Sequence, residues 1–298
     1  MNSRFPNLPR RFNLPHRNNP IEYNGHTYMI GDFIGSGCFG EVYECRDEWG
    51  NELVAKIISP KLGQYKQFLD RTIRETDNLF NLRHPNITYL YDAFELNNKL
   101  YLILERCDLT LEELIKHGQS SGDRALPYIA KDILQAVHFM HNNGYVHADL
   151  HPGNIFCSIL RDQIQPNSQN YIFKFKIGDL GITKREADLN LNYLNTIFAD
   201  WMRAPECIDQ SFGSVDRRVD IYHIGLLLLS LTRGDIPRFT YQEIVDAVPR
   251  RMAEGLSSPY RDVIARALRR HVDARTQTAF AVWKEIEEVL ERIQRPQG

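Results

Sequence analysis

The chain has 298 residues, 43% hydrophobic and 25% charged, with a formal net charge of −2 at neutral pH. That length can bury a sizeable core in one large domain or two lobes, and so even a charge balance excludes general affinity for nucleic acid or an anionic membrane surface. Cys38, Cys45, Cys107, Cys157 and Cys207 are odd in number and scattered without a CxxC pair. They read as reduced thiols of a cytoplasmic protein rather than a disulfide frame or a zinc site. The amino terminus has no apolar core of the secretory kind. The most apolar run, "IGLLLLSL" at 224–231, falls well short of the roughly 20 residues that span a bilayer.

Residues 1–20 hold Pro6, Pro9, Pro15 and Pro20, several Asn, and Arg4, Arg10, Arg11 and Arg17. Such a composition predicts a disordered tail. It carries an imperfect echo, "RFPNLPR" then "RFNLPHR", and the first copy fits a PxxPxR docking-peptide pattern through Pro6, Pro9 and Arg11. Five strands are expected at 27–35, 40–46, 52–59, 88–96 and 99–105, with a turn at "DEWGN" (47–51). One helix is expected within 64–82, with Phe68, Ile73, Leu79 and Phe80 as its apolar set, stopped by the proline of "HPN". After Cys107 the pattern turns mostly helical. "LEELIKHG" ends in a basic turn and a glycine; "ALPYIAKDILQAVHFMHNNG" puts Ile129, Ile133, Ala136, Val137 and Met140 on one stripe, closed by Gly144. Strands near 154–159 and 171–178 flank a polar insertion at 161–170. Helices follow at 216–233, 258–270 and 278–293, with a short helical segment at 239–250. The insertion and the short segment are candidates for partner contacts. The expected architecture is α+β: a tail at 1–20, a small antiparallel-sheet lobe with one helix at 21–106, and a larger helical lobe at 107–298.

Three groups of residues point to phosphoryl chemistry. "GSGCFGEV" (35–42) sits between two strands, where Gly35, Gly37 and Gly40 let the backbone approach phosphates. A dinucleotide fingerprint would instead need a helix after the loop. "VAKII" (54–58) sets Lys56 in an apolar strand, and Glu75 on the predicted helix can orient its ammonium toward a polyanion. In "YVHADLHPGNIF" (145–156), Asp149 and Asn154 offer a carboxylate and an amide from one turn, and Asp179 in "KIGDLGITK" adds a second carboxylate. These are hard oxygen ligands suited to Mg²⁺ held against phosphates.

In order along the chain, the glycine loop, VAKI, the helix Glu before "HPNI", HxDLxxxN, DxG and "APE" (204–206) together resemble the eukaryotic-type protein kinases over roughly residues 27–293. "VDIYHIG" (219–225) is similar to the family's D-x-W-S-x-G helix motif, with Asp220 as its structural aspartate. Arg275 resembles the late arginine that pairs with the APE glutamate, here Glu206. The resemblance implies a bilobal protein-kinase-like fold that uses ATP and Mg²⁺ to phosphorylate protein hydroxyls, Ser/Thr ahead of Tyr. It implies that Asp149 accepts the hydroxyl proton, that Lys56 holds the α/β-phosphates in a pair with Glu75, and that Asn154 and Asp179 hold Mg²⁺. Ile34, Gly35, Ser36, Gly37, Cys38, Phe39, Gly40, Val42 and Ala55 are implied around the nucleotide. Leu104 is implied as gatekeeper, with Glu105 to Cys107 as the adenine-contacting hinge. Leu79, Leu90, Leu180 and His147 would form a stacked spine.

The departures are as informative as the matches. Ala148 stands where the family has an arginine that receives a phosphorylated activation segment, so activity without segment phosphorylation is expected for the stretch from Asp179 to Glu206. His151 replaces the lysine that steadies the γ-phosphate in Ser/Thr kinases, and Ala199 replaces that lysine's threonine partner. "HADLHPGN" also looks like the loops of small-molecule phosphotransferases such as the aminoglycoside and choline kinases, which generally lack the APE segment and its arginine. A pseudokinase scaffold would be expected to have lost Lys56, Asp149 or Asp179; all three are present.

Overall fold

The computed structural model describes residues 20–37, 40–58, 73–74, 76–118, 122–161, 171–180, 183–189 and 203–294. The chain divides into two compact units, with boundaries at Arg83/His84, Ile87/Thr88 and Arg106/Cys107.

The first unit is built on a six-stranded antiparallel sheet: β1 (Pro20–Tyr23), β2 (His26–Gly37), β3 (Gly40–Arg46), β4 (Glu52–Ile58), β5 (Leu90–Leu96) and β6 (Lys99–Glu105), in the order β1-β2-β3-β4-β6-β5. β1 is an addition to the sequence reading, which assigned Pro20 to the tail. It folds back on β2 through Asn24 and Gly25, whose φ values of 48° and 84° make the tight turn that suits a twisted hairpin. Alternation then sets the core. Leu53, Ala55 and Ile57 of β4 turn inward with Ile30, Tyr43, Cys45 and Ile103. The sheet twists until its two edges meet: Tyr23 of β1 stacks on Phe94 of β5 at 4.4 Å, and the Tyr28 hydroxyl donates to Asp92 at 3.0 Å. Within the predicted helix, residues 73–74 and 76–81 are helical. Leu79 is buried, but Ile73 and Phe80 are each 48% exposed. Seven residues apart, those two share a helical face one step removed from the face that carries Leu79, so the expected apolar set was two faces rather than one. Phe68 lies outside the described residues.

The second unit is mostly helical. β7 (Leu109–Thr110), β9 (Ile155–Arg161) and β10 (Tyr171–Ile177) form a three-stranded sheet, and β8 (Tyr145–Val146) pairs with β11 (Lys184–Arg185). α1 (Leu111–Lys116) starts on a capping box in which Thr110 and Glu113 satisfy each other's backbone N–H. α2 (Leu126–Asn142) buries Ile129, Ile133, Ala136, Val137 and Met140, the expected stripe, and Gly144 ends it at φ 75°. After α3 (Pro205–Ile208), α4 (Arg218–Arg233) buries every residue from Val219 to Leu231, so the most apolar run is a core helix, closed by Gly234 in the left-handed region. α5 (Tyr241–Val245) and α6 (Val248–Glu254) split the expected 239–250 segment at Ala247, whose φ is 59°. α7 (Arg261–Ala267) and α8 (Ala279–Gln294) complete the unit. Among the described residues no helix is long and apolar enough to cross a membrane.

His84–Ile87 belong to the helical unit, not to the sheet lobe in which the sequence reading placed them. The Asn86 amide donates to the Phe175 carbonyl at 2.8 Å, Ile177 N–H donates to the Asn86 carbonyl, and His84 stacks on Phe139 at 5.0 Å. These bonds carry "HPNI" across, and the composition of the segment gives no sign of them.

Candidate active site

In the sheet unit, the glycine loop is the hairpin between β2 and β3. Gly35 pairs with Val42, Ser36 with Glu41 and Gly37 with Gly40. Cys38 and Phe39 at its tip lie outside the described residues. Gly40 must lack a side chain, because a Cβ there would sit 2.8 Å from the Ile57 carbonyl oxygen. Ile34 falls where the β2–β3 register shifts and is half-buried. Lys56 is half-buried on β4, level with Val42 on β3 and Leu102 on β6, on the opposite face from Ala55 and Ile57. Leu102 is 1% exposed, so this face too is covered rather than open to solvent. Leu104 and Glu105 follow on β6, where Tyr89 and Glu105 exchange two hydrogen bonds. Glu75 lies outside the described residues. Three adjacent strands thus bring together Ile34, Gly35, Ser36, Gly40, Val42 and Lys56; Ala55, expected with them around the nucleotide, alternates to the other face and is fully buried in the sheet core with Tyr43 and Ile103.

In the helical unit, the loop after β8 is held from below by Asp220. This fully buried carboxylate accepts N–H bonds from His147 (3.0 Å) and Ala148 (2.8 Å) and a third bond from His141 Nε2 (2.8 Å). Burial alone would raise the Asp220 pKa; the His141 hydrogen bond and the His141, His147 and His223 rings carry it below the usual carboxylate range. Ala148 is buried with φ 65°, a conformation costly to a residue with a Cβ and sustained here by the Asp220 bond. His147 ties two segments together. Its Nδ1 accepts Asp149 N–H at 3.2 Å and its Nε2 lies 3.1 Å from the Gly178 carbonyl, which defines an Nε2–H tautomer.

Asp149, Asn154 and Asp179 converge at the end of this loop. The Asn154 amide donates to the Asp149 carbonyl (2.9 Å) and to its Oδ2 (3.2 Å), and Gly178 N–H donates to the Asn154 carbonyl (2.9 Å). Asp179 follows Gly178 at φ 55°. The Asp149 pKa is raised, chiefly by burial; His151, His147 and the Asn154 bond oppose the rise, and the Asp179 charge adds to it. His151 Nδ1 accepts Gly153 N–H at 3.1 Å, so its Nε2 carries the proton, 3.8 Å from Asp149 Oδ2. A Cβ on Gly153 would lie 2.9 Å from His151 Cε1, so that glycine makes room for the ring. Cys107, half-buried, accepts from the Ser158 hydroxyl at 3.4 Å.

Glu206 on α3 and Arg275 form a two-pronged ion pair at 2.7 and 2.8 Å, both side chains fully buried. Thr183 is 2% exposed; Thr196 and Ala199 lie outside the described residues. Sequence reasoning passed over His141 and Gly153. The first betrays itself only as a histidine on a buried helical face, and the second reads as an ordinary turn glycine.

Among the described residues no three His, Cys, Asp or Glu side chains are arranged to hold a metal by themselves. Asn154 with Asp179 instead offers a sparse oxygen set, of the kind that fits a cation taking its remaining ligands from phosphate and water. The donor chemistry fits Mg²⁺, and the mutual repulsion of Asp149 and Asp179 is what a cation would relieve.

A family model described as the protein kinase domain matches residues 28–288. The serine/threonine-protein kinase PknB of Mycobacterium tuberculosis H37Rv is 30% identical over 270 residues, covering 85% of this chain and 41% of the relative. Cyclin-dependent kinase-like 1 of Caenorhabditis elegans is 30% identical over 207 residues, 68% of this chain and 54% of that protein. Cyclin-dependent kinase F-3 of Oryza sativa subsp. japonica is 30% identical over 206 residues, 68% of this chain and 44% of that protein. The match thus spans about half or less of each of these relatives.

Proposed function

The chain belongs to the protein kinase domain family, and from that premise we propose that it transfers the γ-phosphate of ATP to serine and threonine hydroxyls of proteins. Bound ATP and Mg²⁺ supply the phosphoryl group and neutralise its charge. Asp149 orients the acceptor hydroxyl and takes its proton; Lys56, oriented by Glu75, holds the α/β-phosphates; Asn154 and Asp179 are the metal ligands. The glycine hairpin, with Ile34, Ser36, Cys38, Phe39 and Val42, covers the nucleotide, and Leu104, Glu105 and Cys107 edge its base. His151 presents Nε2–H beside Asp149 and donates where Ser/Thr kinases place a lysine. One observation carries the reading: Asp149, His151 and Asn154 on one turn, bonded through His147 and Gly178 to the turn of Asp179. The four described free cysteines support a reducing, cytoplasmic setting. Residues 21–298 are the proposed catalytic domain.

The test is transfer of labelled γ-phosphate in Mg²⁺ to generic protein substrates, followed by phosphoamino-acid analysis. Phosphoserine or phosphothreonine supports the proposal. Phosphotyrosine alone, or label passed only to small molecules such as aminoglycosides or choline, overturns it.

We further propose that activity needs no phosphate on the activation segment. Ala148 offers no cation to receive one, and Thr183 is too buried to meet another kinase. Replacing both Thr183 and Thr196 by alanine should leave kcat within about twofold in a steady-state assay; a loss of about tenfold or more would sink the idea.

The raised Asp149 pKa sets a pH dependence with a definite sign. The base works as the carboxylate, so protonation stops it. The acid limb of kcat/KM should therefore fall at a pH above the ~3.9 of an unperturbed aspartate. A profile flat down to that value, in protein still folded by circular dichroism, contradicts the burial effect.

A further inference from the structure

The sheet unit carries a recess that phosphoryl transfer leaves unused. It has a volume of about 360 Å³, and Tyr28, Trp49 and Tyr91 line it together with Asp47, Glu48 and Asp92. Part of this arrangement only closes the fold. Asp92 accepts from the Tyr28 hydroxyl, and Glu48 accepts Thr27 N–H and lies 3.2 Å from His26. Asp47 shapes its own turn by accepting N–H bonds from Trp49 and Asn51. Two of the rings pack as well: Tyr28 stacks on Phe94, and Tyr91 meets Tyr89 edge-on. Trp49 is different, 85% exposed on a turn whose shape does not need an indole. An open indole face beside three carboxylates suits a planar cation, which stacks on the ring while its N–H groups meet the remaining carboxylate lone pairs.

The chain holds a matching segment. Residues 1–19 contain Arg4, Arg10, Arg11 and Arg17 and no Asp or Glu, and the Arg-Phe and Asn-Leu-Pro elements occur in both copies of the echo. This segment joins the sheet at Pro20, and Asn24, four residues on, already lines the recess. Four residues of strand span roughly 13 Å. The nine residues from Arg11 to Pro20 can span up to about 30 Å, enough to turn back and reach it.

We propose that this recess is an arginine-binding site and that its occupant is the chain's own amino-terminal segment. The Arg10–Arg11 pair places a guanidinium against Trp49 and among Asp47, Glu48 and Asp92. The interaction is independent of the phosphoryl-transfer reading and needs no nucleotide.

Fluorine NMR of the full chain carrying 5-fluorotryptophan tests it, with the Trp49 resonance identified through Trp49→Phe. Replacing Arg10 and Arg11 by glutamate should shift the Trp49 signal. A synthetic peptide of residues 1–19, added in trans to that variant, should restore the signal saturably, and Glu48→Arg should weaken the peptide about tenfold. A Trp49 resonance indifferent to both the reversal and the peptide overturns the proposal. A shift that depends on chain concentration does so as well, since it makes the occupant a second copy. The tail substitutions replace no residue of the sheet, and an unchanged far-UV spectrum keeps a null shift from being read as misfolding.

Discussion

Asp149→Asn should lower phosphoryl transfer by about 10²–10⁴-fold, the range that a positioned general base contributes, while nucleotide affinity stays within about twofold. The asymmetry follows from the bonds around the residue. Asparagine keeps an oxygen to accept from the Asn154 amide and keeps the N–H that His147 Nδ1 receives. The loop therefore retains its shape and loses only the proton acceptor. The variant also relieves a strained site, because a buried carboxylate beside Asp179 gives way to a neutral group; equal or higher thermal stability should accompany the lost rate. Single-turnover transfer and calorimetric titration with nucleotide check the two halves separately. Transfer retained within about tenfold would remove Asp149 from the reaction. Lost nucleotide binding would mean that the carboxylate serves the ligand instead.

The second large effect is on stability. Arg275→Ala should cost about 3–5 kcal/mol, because Glu206 would be left charged in a site that excludes water. The arginine does more than neutralise it. It also donates to the carbonyls of Arg218, Arg269 and Arg270, and its guanidinium lies 5.1 Å from the Tyr222 ring centre. A double replacement, Glu206→Leu with Arg275→Met, removes the stranded charge but still leaves those three carbonyls without their donor. It should recover only part of the loss. Urea denaturation of the single and double variants measures both terms. A single substitution costing less than about 1 kcal/mol would show that water reaches the pair.

Much of this arrangement can be read from the chain without coordinates. The α2 stripe is a clean 3.6-residue repeat, the sheet strands alternate, and the partnership of Glu206 with Arg275 followed from their place in an ordered set of motifs. What escaped notice has physical reasons. β1 is four residues long, too short to show alternation, although the Asn24-Gly25 turn is the strongest short hairpin signal available. The expected helix within 64–82 mixed two faces because Leu79 and Phe80 are both apolar and only one is buried. His141 meets Asp220 across 79 residues of chain, a distance that no local pattern spans. The His151 tautomer depends on a backbone N–H two residues away, which only the turn geometry reveals.

The imidazole of His147 has a mechanical consequence. Because one ring holds both the amide of Asp149 and the carbonyl of Gly178, the two segments share a hinge pin. A compound that binds only when the Asp179 turn is swung aside must first pull that pin, giving up the buried bond between His147 and the Gly178 carbonyl before making any contact of its own. Such a ligand would associate slowly, and one that accepts the turn as it stands would meet no such delay.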